Sequence, residues 1–475
     1  MRGRGEAERV ARLLGAWRTG APAAAALRDA LAELIDGGHL PSGRRMPGQR
    51  DLAGALGVAR GTVARVYADL TADGRLAARH GSGTYVRGAR GGGRPGEGRL
   101  TSFDDGRPVT DLSSGALPGS ELVAEVMPEV GRLLRRHLPD SGYHPAGLPE
   151  LRQALAADFT GRGLPTGPDE IVITAGSQQA VWLIATALTG PGTRTLVEDP
   201  SYRGALEAFA GAGGRVQGVR FTPAGTDLGL LDGAAAAAGG AGLLYAQTAL
   251  HNPTGVHTPA PHRRELAAIA ARHSLLVVDD QSQADLAWHR SEPLPGLDRL
   301  ADPARLLTVG TLSKLFWGGI RVGWVRGPRE IVGRLVEVRR AVDLGSPVAD
   351  QLAALLLLPR AAAQRAERRA FLLRQYADTE QVLRDVLPGW RWWPPAGGSG
   401  LWIDTGEDAV ALSGRALEHG LRLTPGPAFS PHHSHRGHVR LPVWHPHSTL
   451  LDVARTLATL TEPREPREAR EPREA

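Results

Sequence analysis

The sequence predicts an α/β protein with a small helical module set ahead of its main domain, and three features carry that reading. Apolar, strand-like runs alternate with alanine- and leucine-rich helical stretches from residue 109 onward. A glycine- and arginine-rich interval without apolar periodicity precedes them. Ahead of that interval, helix-spaced apolar positions surround a glycine turn.

At 475 residues the chain exceeds one ordinary domain, and its 42% hydrophobic fraction supports a large core. It contains no run of eighteen apolar residues free of charges and turn formers. Its opening, MRGRGEAERV, has no secretory apolar stretch, so a soluble, cytoplasmic protein without a membrane partner is expected. The absence of cysteine excludes disulfides, thiolate nucleophiles and cysteine-type zinc sites, and no other metal site is read from the sequence.

Charge is unevenly placed. Residues 1–100 hold seventeen arginines against nine acidic residues, a net +8, whereas the whole chain carries +6. A basic segment on a near-neutral body fits a polyanion partner. Among the 56 basic residues Lys314 is the sole lysine. Arginine bias of this kind reflects codon composition, and one lysine retained against it points to chemistry closed to a guanidinium, such as imine formation.

In chain order, residues 1–21 form an N-terminal extension and residues 22–87 the small module. Helix-spaced apolar residues over 22–36 are followed by GGHLPSGRRMPGQRDLAGALGVARGTVARVYADLTADG and RLAARHGSGTYV. The order is helix, turn, helix, short turn, helix, two-stranded wing. Gly57 falls where a tight turn needs positive φ, and Ala53, Leu56, Val58, Val63 and Leu70 supply the core. This segment resembles the GntR-type winged helix-turn-helix, with Gly48-Gln49 and Ala59 departing from the usual serine-bearing pattern. The resemblance implies double-stranded DNA as partner. Arg50 and Arg60 would flank the first two helices of the motif, Thr62 and Arg65 would lie on the recognition helix, and His80 with Gly81 would form the wing tip. Arginine at the start of such a helix can fork onto guanine edges, and Arg60 and Arg65 are both expected to face the groove.

Residues 88–108 read as a flexible linker, and residues 461–475, a proline-punctuated charge repeat, as a disordered tail. Between them, residues 109–460 carry the strand-like runs IVIT (171–174), RTLVED (194–199), LLYAQ (243–247), LLVVDD (275–280) and RLLTVG (305–310). Their alternation with helical stretches predicts a mainly parallel sheet.

The most specific motif is GTLSKLFWGGIRVGW (310–324), which follows an apolar strand. Thr311, Lys314 and Arg321 place a hydroxyl, an amine and a guanidinium together just past a strand end. The segment resembles the "S.SK..PG.R.GW" signature of fold type I aminotransferases, with Gly318-Gly319 in place of Pro-Gly. That family has a large domain with a mainly parallel sheet and a smaller C-terminal α+β domain, and its cofactor is pyridoxal 5′-phosphate. The resemblance makes Lys314 the catalytic, Schiff-base lysine, with Thr311 and Arg321 on the phosphate.

Other family positions follow in order. Gly176, Ser177 and Gln178 open a helix after IVIT, where backbone amides can cap the phosphate. Tyr202, in VEDPSYRG, matches the tyrosine near the ring, and Asn252, in HNPTG, the residue bonded to the ring's 3′-oxygen. An acid ending LLVVDD should pair with the pyridinium nitrogen. Asp279 and Asp280 both stand there, and alignment through ADL (284–286) favours Asp280. Where the family has a ring tyrosine, this chain has Ser282 and Gln283, and Ser282 is kept as a cofactor neighbour. Arg440, in GHVRL (437–441), would clamp a substrate or effector carboxylate. SGYHPAGLPELRQALAADFTGRGL (141–164) also matches the family, placing Tyr143 and Gly147 near the site or a neighbouring subunit.

GntR-type module, linker and aminotransferase-like domain in that order resemble the MocR-type subfamily of GntR regulators. The resemblance implies a domain-swapped homodimer that regulates transcription, sensing pyridoxal phosphate or an amino compound through external aldimine formation at Lys314. The alternative is an aminotransferase with residual or genuine turnover. A bare DNA-binding protein with a scaffold domain conflicts with the sole lysine standing in the cofactor motif.

Overall fold

The computed structural model describes residues 2–15, 17–18, 22–36, 40, 44–72, 75–79, 83–86, 109–238 and 242–461. The wing-tip residues His80 and Gly81, the linker positions 88–108 and the tail beyond 461 lie outside the described residues.

The N-terminal unit comprises α1 (Arg2–Leu14), α2 (Ala23–Asp36), α3 (Gln49–Leu56), α4 (Arg60–Ala72) and the hairpin β1 (Leu76–Arg79) and β2 (Gly83–Val86). Helix α3 stops at Gly57, whose φ of 63° is left-handed and whose N–H donates to the Ala53 carbonyl. A side chain there would be strained, so the glycine fixes the turn into α4. Leu27 and Leu31 of α2, Leu52 and Ala53 of α3, and Val63 and Leu70 of α4 share one core. Leu76 and Val86 of the hairpin close it. Tyr67 is buried in the same core and donates its hydroxyl to the Pro47 carbonyl at 2.9 Å.

Residues 1–21, which the sequence reading leaves as an extension, contribute to this core. Val10 and Leu14 of α1, with Trp17 beyond it, are buried in it, and Glu6 pairs with Arg44 at 2.7 Å. Ala7, Val10 and Leu14 fall at helical spacing. The stripe is hard to read because charged residues crowd so short a helix.

The main domain begins with β3 (Thr110–Asp111), α5 (Glu121–Leu134) and α6 (Pro149–Gly161). A strand–helix alternation follows: β4 (Ile171–Thr174), α7 (Ser177–Leu188), β5 (Arg194–Asp199), α8 (Arg203–Gly211), β6 (Arg215–Thr222), β7 (Gly225–Thr226) and α9 (Leu228–Ala238). It continues through β8 (Gly242–Ala246), α10 (Ala260–Arg272), β9 (Leu276–Asp280), β10 (Leu306–Thr311) and β11 (Gly323–Arg326). The sheet order is β4-β11-β10-β9-β8-β5-β6-β7. The five strands from β10 to β6 run parallel, while β11 is antiparallel to both β10 and β4.

Every residue of β4, β8 and β10 is buried. Three apolar clusters explain this. Side chains of α7 and α8 pack on one side of the sheet; on the other, those of α9 and α10 cover the middle strands and those of α5, α6 and the helix Val348–Leu357 cover β4, so the strands need no polar face.

After α11 (Arg329–Arg340), α12 (Val348–Leu357) and the long α13 (Ala361–Val386), a smaller α+β unit follows. It contains β12 (Arg391–Trp392), β13 (Gly400–Asp404), α14 (Ala409–Glu418), β14 (Leu421–Arg422), β15 (Thr424–Pro425), β16 (His438–Pro442) and α15 (His447–Leu460). Its four-stranded sheet, ordered β12-β13-β16-β15, is antiparallel, and β14 pairs with β3 from the start of the domain. Among the described residues no helix is long and apolar enough to cross a membrane.

Candidate functional site

Ligand crevices of parallel sheets lie beyond the carboxyl ends of the strands, where loops bring together side chains from distant parts of the sequence. Here Thr311 ends β10, Asp280 ends β9, and Lys314 follows β10 by three residues. The Lys314 ammonium donates to the Gly115 carbonyl at 3.0 Å. Burial, with help from Arg440 and Arg321 and against the pull of Asp280, pushes its pKa down to about 8. More of this amine is therefore neutral near physiological pH than in an ordinary lysine, which is what nucleophilic chemistry requires.

The candidate anion-binding end lies where β4 runs into α7. Gly176 caps α7 with a φ of 81°, and Ser177 and Gln178 supply its first N–H groups, which have no intrahelical partner. A methyl group on Gly176 would come within 2.9 Å of the Arg321 guanidinium, so the glycine is what lets that cation lie against the helix start. Arg321, itself at a left-handed φ of 44°, donates to the Ala175 carbonyl. The Thr311 hydroxyl donates to the Val322 carbonyl at 2.9 Å and lies 3.0 Å from the Ser313 hydroxyl. Gln178 uses its side chain on α8, donating to the Gly204 carbonyl at 3.1 Å and accepting from the Tyr202 hydroxyl at 2.7 Å.

Alternation along β9 separates its two terminal acids. Asp279 accepts from the Thr248 hydroxyl at 3.1 Å, the Leu297 N–H at 2.8 Å and the Gln281 amide at 2.9 Å. Burial and neighbouring Asp298 push its pKa up to about 6. Asp280 accepts from the Tyr245 hydroxyl at 2.6 Å and from both the N–H and hydroxyl of Ser282. Its pKa is raised by burial, while the Lys314 charge acts in the opposite direction. Asp280 is thus the acid on the lysine's side. Tyr202 also senses it, since burial and then Asp280 push that phenol up to about 12. Ser282 anchors Asp280 through two bonds to one carboxylate oxygen. Tyr245, the acid's other anchor, has no role in the sequence reading, because a tyrosine within an apolar strand looks like core.

Arg440, on β16, is 6% exposed and donates to the Ser399 hydroxyl at 3.3 Å. Ser399 in turn donates to the Gly115 carbonyl at 3.0 Å. A side chain at Gly115 would run into the Arg440 guanidinium at 2.1 Å, so a glycine is required there. Burial pushes Arg440 down to about 10, partly offset by Tyr202. Gly115 and Ser399 join the lysine to the arginine, and neither stands in a motif that sequence could flag.

Asn252 donates its N–H to Gln247 at 3.3 Å, while its side-chain Oδ1 is buried without a hydrogen-bond partner. An orphaned polar atom in this crevice is what a bound polar group would satisfy. Gly147 serves packing, since a Cβ there would overlap Ile173 of β4 at 2.2 Å. Tyr143 is 65% exposed.

In the N-terminal unit Arg50 lies on α3, and Arg60, Thr62 and Arg65 lie on α4. Both arginines of α4 are exposed and Thr62 is half-buried. At about 100° per residue, however, Arg60 and Arg65 project ~140° apart around α4. Arg65 therefore lies closer to the face of Thr62, three residues away, than to that of Arg60.

A crevice of this design, with one lysine between a helix-capped anion cup and a buried acid, on a parallel sheet with a small α+β unit, defines an aminotransferase-type domain. Residues 107–457 match the family described as aminotransferase class I and II, and residues 23–86 match the gntR family of bacterial regulatory proteins. The chain belongs to the class I and II aminotransferase family and carries a GntR module at its N-terminus, the composition of MocR-type regulators.

An uncharacterized HTH-type transcriptional regulator of Bacillus subtilis, YisV, is 28% identical over 77% of this chain and 80% of its own. The HTH-type transcriptional regulator TauR of Rhodobacter capsulatus is 29% identical over 87% and 91%. The probable rhizopine catabolism regulatory protein MocR of Rhizobium meliloti is 28% identical over 63% and 64%. Among solved structures, the α-aminoadipate aminotransferase LysN of Thermus thermophilus, complexed with N-(5′-phosphopyridoxyl)-L-leucine, superposes with a TM-score of 0.68 at 28% identity. That match covers 74% of this chain and 92% of LysN. The chain is an HTH-type transcriptional regulator with an aminotransferase-like domain, and pyridoxal 5′-phosphate is the cofactor of that domain family.

Proposed function

We propose that this regulator senses pyridoxal 5′-phosphate, or an amino compound that reacts with it, at Lys314, and that the state of that site biases DNA binding by α4. The observation that carries the reading is the position of the chain's only lysine: a buried amine of lowered pKa, between the Arg321 cup and Asp280, bonded to Gly115. When bound, the cofactor supplies an aldehyde carbon at which primary amines condense reversibly with loss of water, and an electron-withdrawing ring.

The chain's own residues set what that chemistry can do. The α7 N–H groups of Gly176, Ser177 and Gln178, with Thr311 and Arg321, hold the phosphate dianion. Asp280, kept in place by Tyr245 and Ser282, holds a proton at the ring nitrogen. Asn252 and Tyr202 border the ring hydroxyl, and Arg440 holds the carboxylate of an incoming amino acid.

Gly115 supplies a route outward. Its carbonyl accepts from both Lys314 and Ser399, and it lies six residues into the described domain, just after linker positions 88–108. A lysine engaged elsewhere releases that carbonyl, and a carboxylate on Arg440 competes with Ser399. Either event changes what holds the segment leading to the linker. The reading includes a domain-swapped homodimer, supported by exposed Leu138 and Tyr143 on the segment leading into α6.

The test is DNA binding to the protein's own upstream region, measured by fluorescence anisotropy with and without pyridoxal phosphate and candidate amino acids. The wild type should show a ligand-dependent affinity and Lys314→Ala should not. Affinity that no ligand alters, together with multiple-turnover keto-acid formation, would make the chain an aminotransferase instead.

A further inference from the structure

We propose that His137, Asp140 and His144 form a binding site for one divalent transition-metal ion of the zinc class, at the turn joining α5 to α6. One ligand atom from each of the three residues lies within 4.8 Å of the others. The turn brings them together by ordinary backbone bonds. After α5 ends at Leu134, the His137 N–H donates to the Leu134 carbonyl at 3.0 Å and the Asp140 N–H to the His137 carbonyl at 3.2 Å. Gly142, at a φ of +70°, then reverses the chain toward His144.

The carboxylate is already oriented. Asp140 Oδ1 accepts from the Gly142 N–H at 2.6 Å, and Oδ2 lies 3.6 Å from His144 Nε2. That separation is beyond hydrogen-bond range and close to the ~3.4 Å between two ligands of one tetrahedral ion with bonds near 2.1 Å. His144 Nε2 is shielded from solvent and has no hydrogen-bond partner. A shielded imidazole nitrogen left without a hydrogen bond is costly unless something binds it. The backbone behind it is fixed, since the His144 carbonyl accepts from the Gly147 N–H at 2.8 Å and Gly345 packs directly against it.

The donor set selects the ion. Two imidazoles and one carboxylate suit Zn²⁺, Co²⁺ or Ni²⁺, with water completing the sphere, whereas Mg²⁺ and Ca²⁺ favour oxygen donors. The bound ion would pin the end of α5 to the segment that carries Gly147 onto β4. The ligands stand at H-x₂-D-x₃-H spacing across a helix end, which matches no familiar metal pattern.

The full-length, tag-free protein is loaded with Zn²⁺, dialysed against metal-free buffer and assayed for zinc per chain, with thermal denaturation before and after a chelator. The wild type should retain one equivalent and lose thermal stability on chelation. His137→Ala, His144→Ala and Asp140→Asn should each lose both properties while keeping the cofactor's near-visible absorption, which shows that they fold. A His432→Ala/His433→Ala double variant, in the histidine-rich loop before β16, should keep the zinc. Wild type that retains no more zinc than the three site variants overturns the proposal, as does zinc that disappears with His432 and His433.

Discussion

The Gly115 carbonyl accepts a 3.0 Å hydrogen bond from the Lys314 ammonium, so the chain's one side-chain amine is tied to the segment that opens the main domain. The same oxygen accepts from Ser399, whose hydroxyl also receives Arg440. The lysine and the arginine are therefore linked through one backbone group and one hydroxyl.

Lys314→Ala should abolish the near-visible absorption that pyridoxal phosphate gives at ~400 nm when held by a lysine. Lys314→Arg should do the same, because a guanidinium keeps its proton and does not condense with an aldehyde. A borohydride-reducible adduct that persists in either variant would place the cofactor elsewhere.

The lowered pKa of Lys314 predicts a pH dependence with a definite sign. With the folded value near 8 and the ordinary value at 10.5, the folded chain binds fewer protons than the unfolded chain between them. Lys314's contribution to the stability of the cofactor-free protein should therefore rise as pH increases through that window, and be lost as pH falls through it. The rate of cofactor capture should rise through about pH 8 as the amine becomes neutral. Arg440 depresses this pKa and Asp280 raises it. Arg440→Gln should thus move the midpoint of capture rate against pH upward, and Asp280→Asn downward. A midpoint indifferent to both changes would contradict these electrostatics.

Arg321→Ala should weaken pyridoxal phosphate binding by about 1.5–3 kcal/mol, the usual value of a hydrogen bond to a charged group. Gly176→Ala should also weaken it while keeping the guanidinium, because the added methyl meets Arg321 at 2.9 Å and the φ of 81° disfavours any side chain. A dissociation constant unchanged in both variants would show that the phosphate sits elsewhere.

What the sequence disclosed depended on whether chemistry or packing set the residue type. Lys314, Arg321 and Asn252 are the candidates the sequence singles out most readily, because they stand in short motifs whose order along the chain is itself informative. IVIT at 171–174 coincides with β4, and the other strand runs fall within two residues of their strands, because strands covered on both faces leave a continuous apolar run. The choice between Asp279 and Asp280 rested on alignment alone in the sequence. In the structure the period of two along β9 gives Asp279 to Thr248 and Leu297, and turns Asp280 toward Lys314. Gly115, Ser399 and Tyr245 were silent because each works through a backbone carbonyl or a buried carboxylate far away in sequence. Helix α1 carries little signal in the sequence because Val10, Leu14 and Trp17 make an apolar stripe only when another helix is present to receive them.

On DNA, the two arginines of α4 should have separable roles. Arg60 opens α4, where unpaired backbone N–H groups and the positive end of the helix dipole favour a phosphate, whereas Arg65 shares a face with Thr62 one turn further in. Because the two arginines project ~140° apart, their substitutions should separate. Arg60→Ala should lower the slope of log affinity against log salt by about one and weaken specific and nonspecific DNA alike. Arg65→Ala should cost about 1–3 kcal/mol on the specific site, with a smaller loss on nonspecific DNA. Anisotropy titrations at several salt concentrations, on the native upstream site and on a scrambled duplex, measure both quantities. Cofactor absorption should be unchanged in either variant, since neither arginine belongs to the Lys314 crevice. Equal losses on both duplexes for both variants would show that α4 only grips the backbone. Reversed roles would mean that α4 enters the groove by its first turn, with Arg60 on the bases and Arg65 on a phosphate.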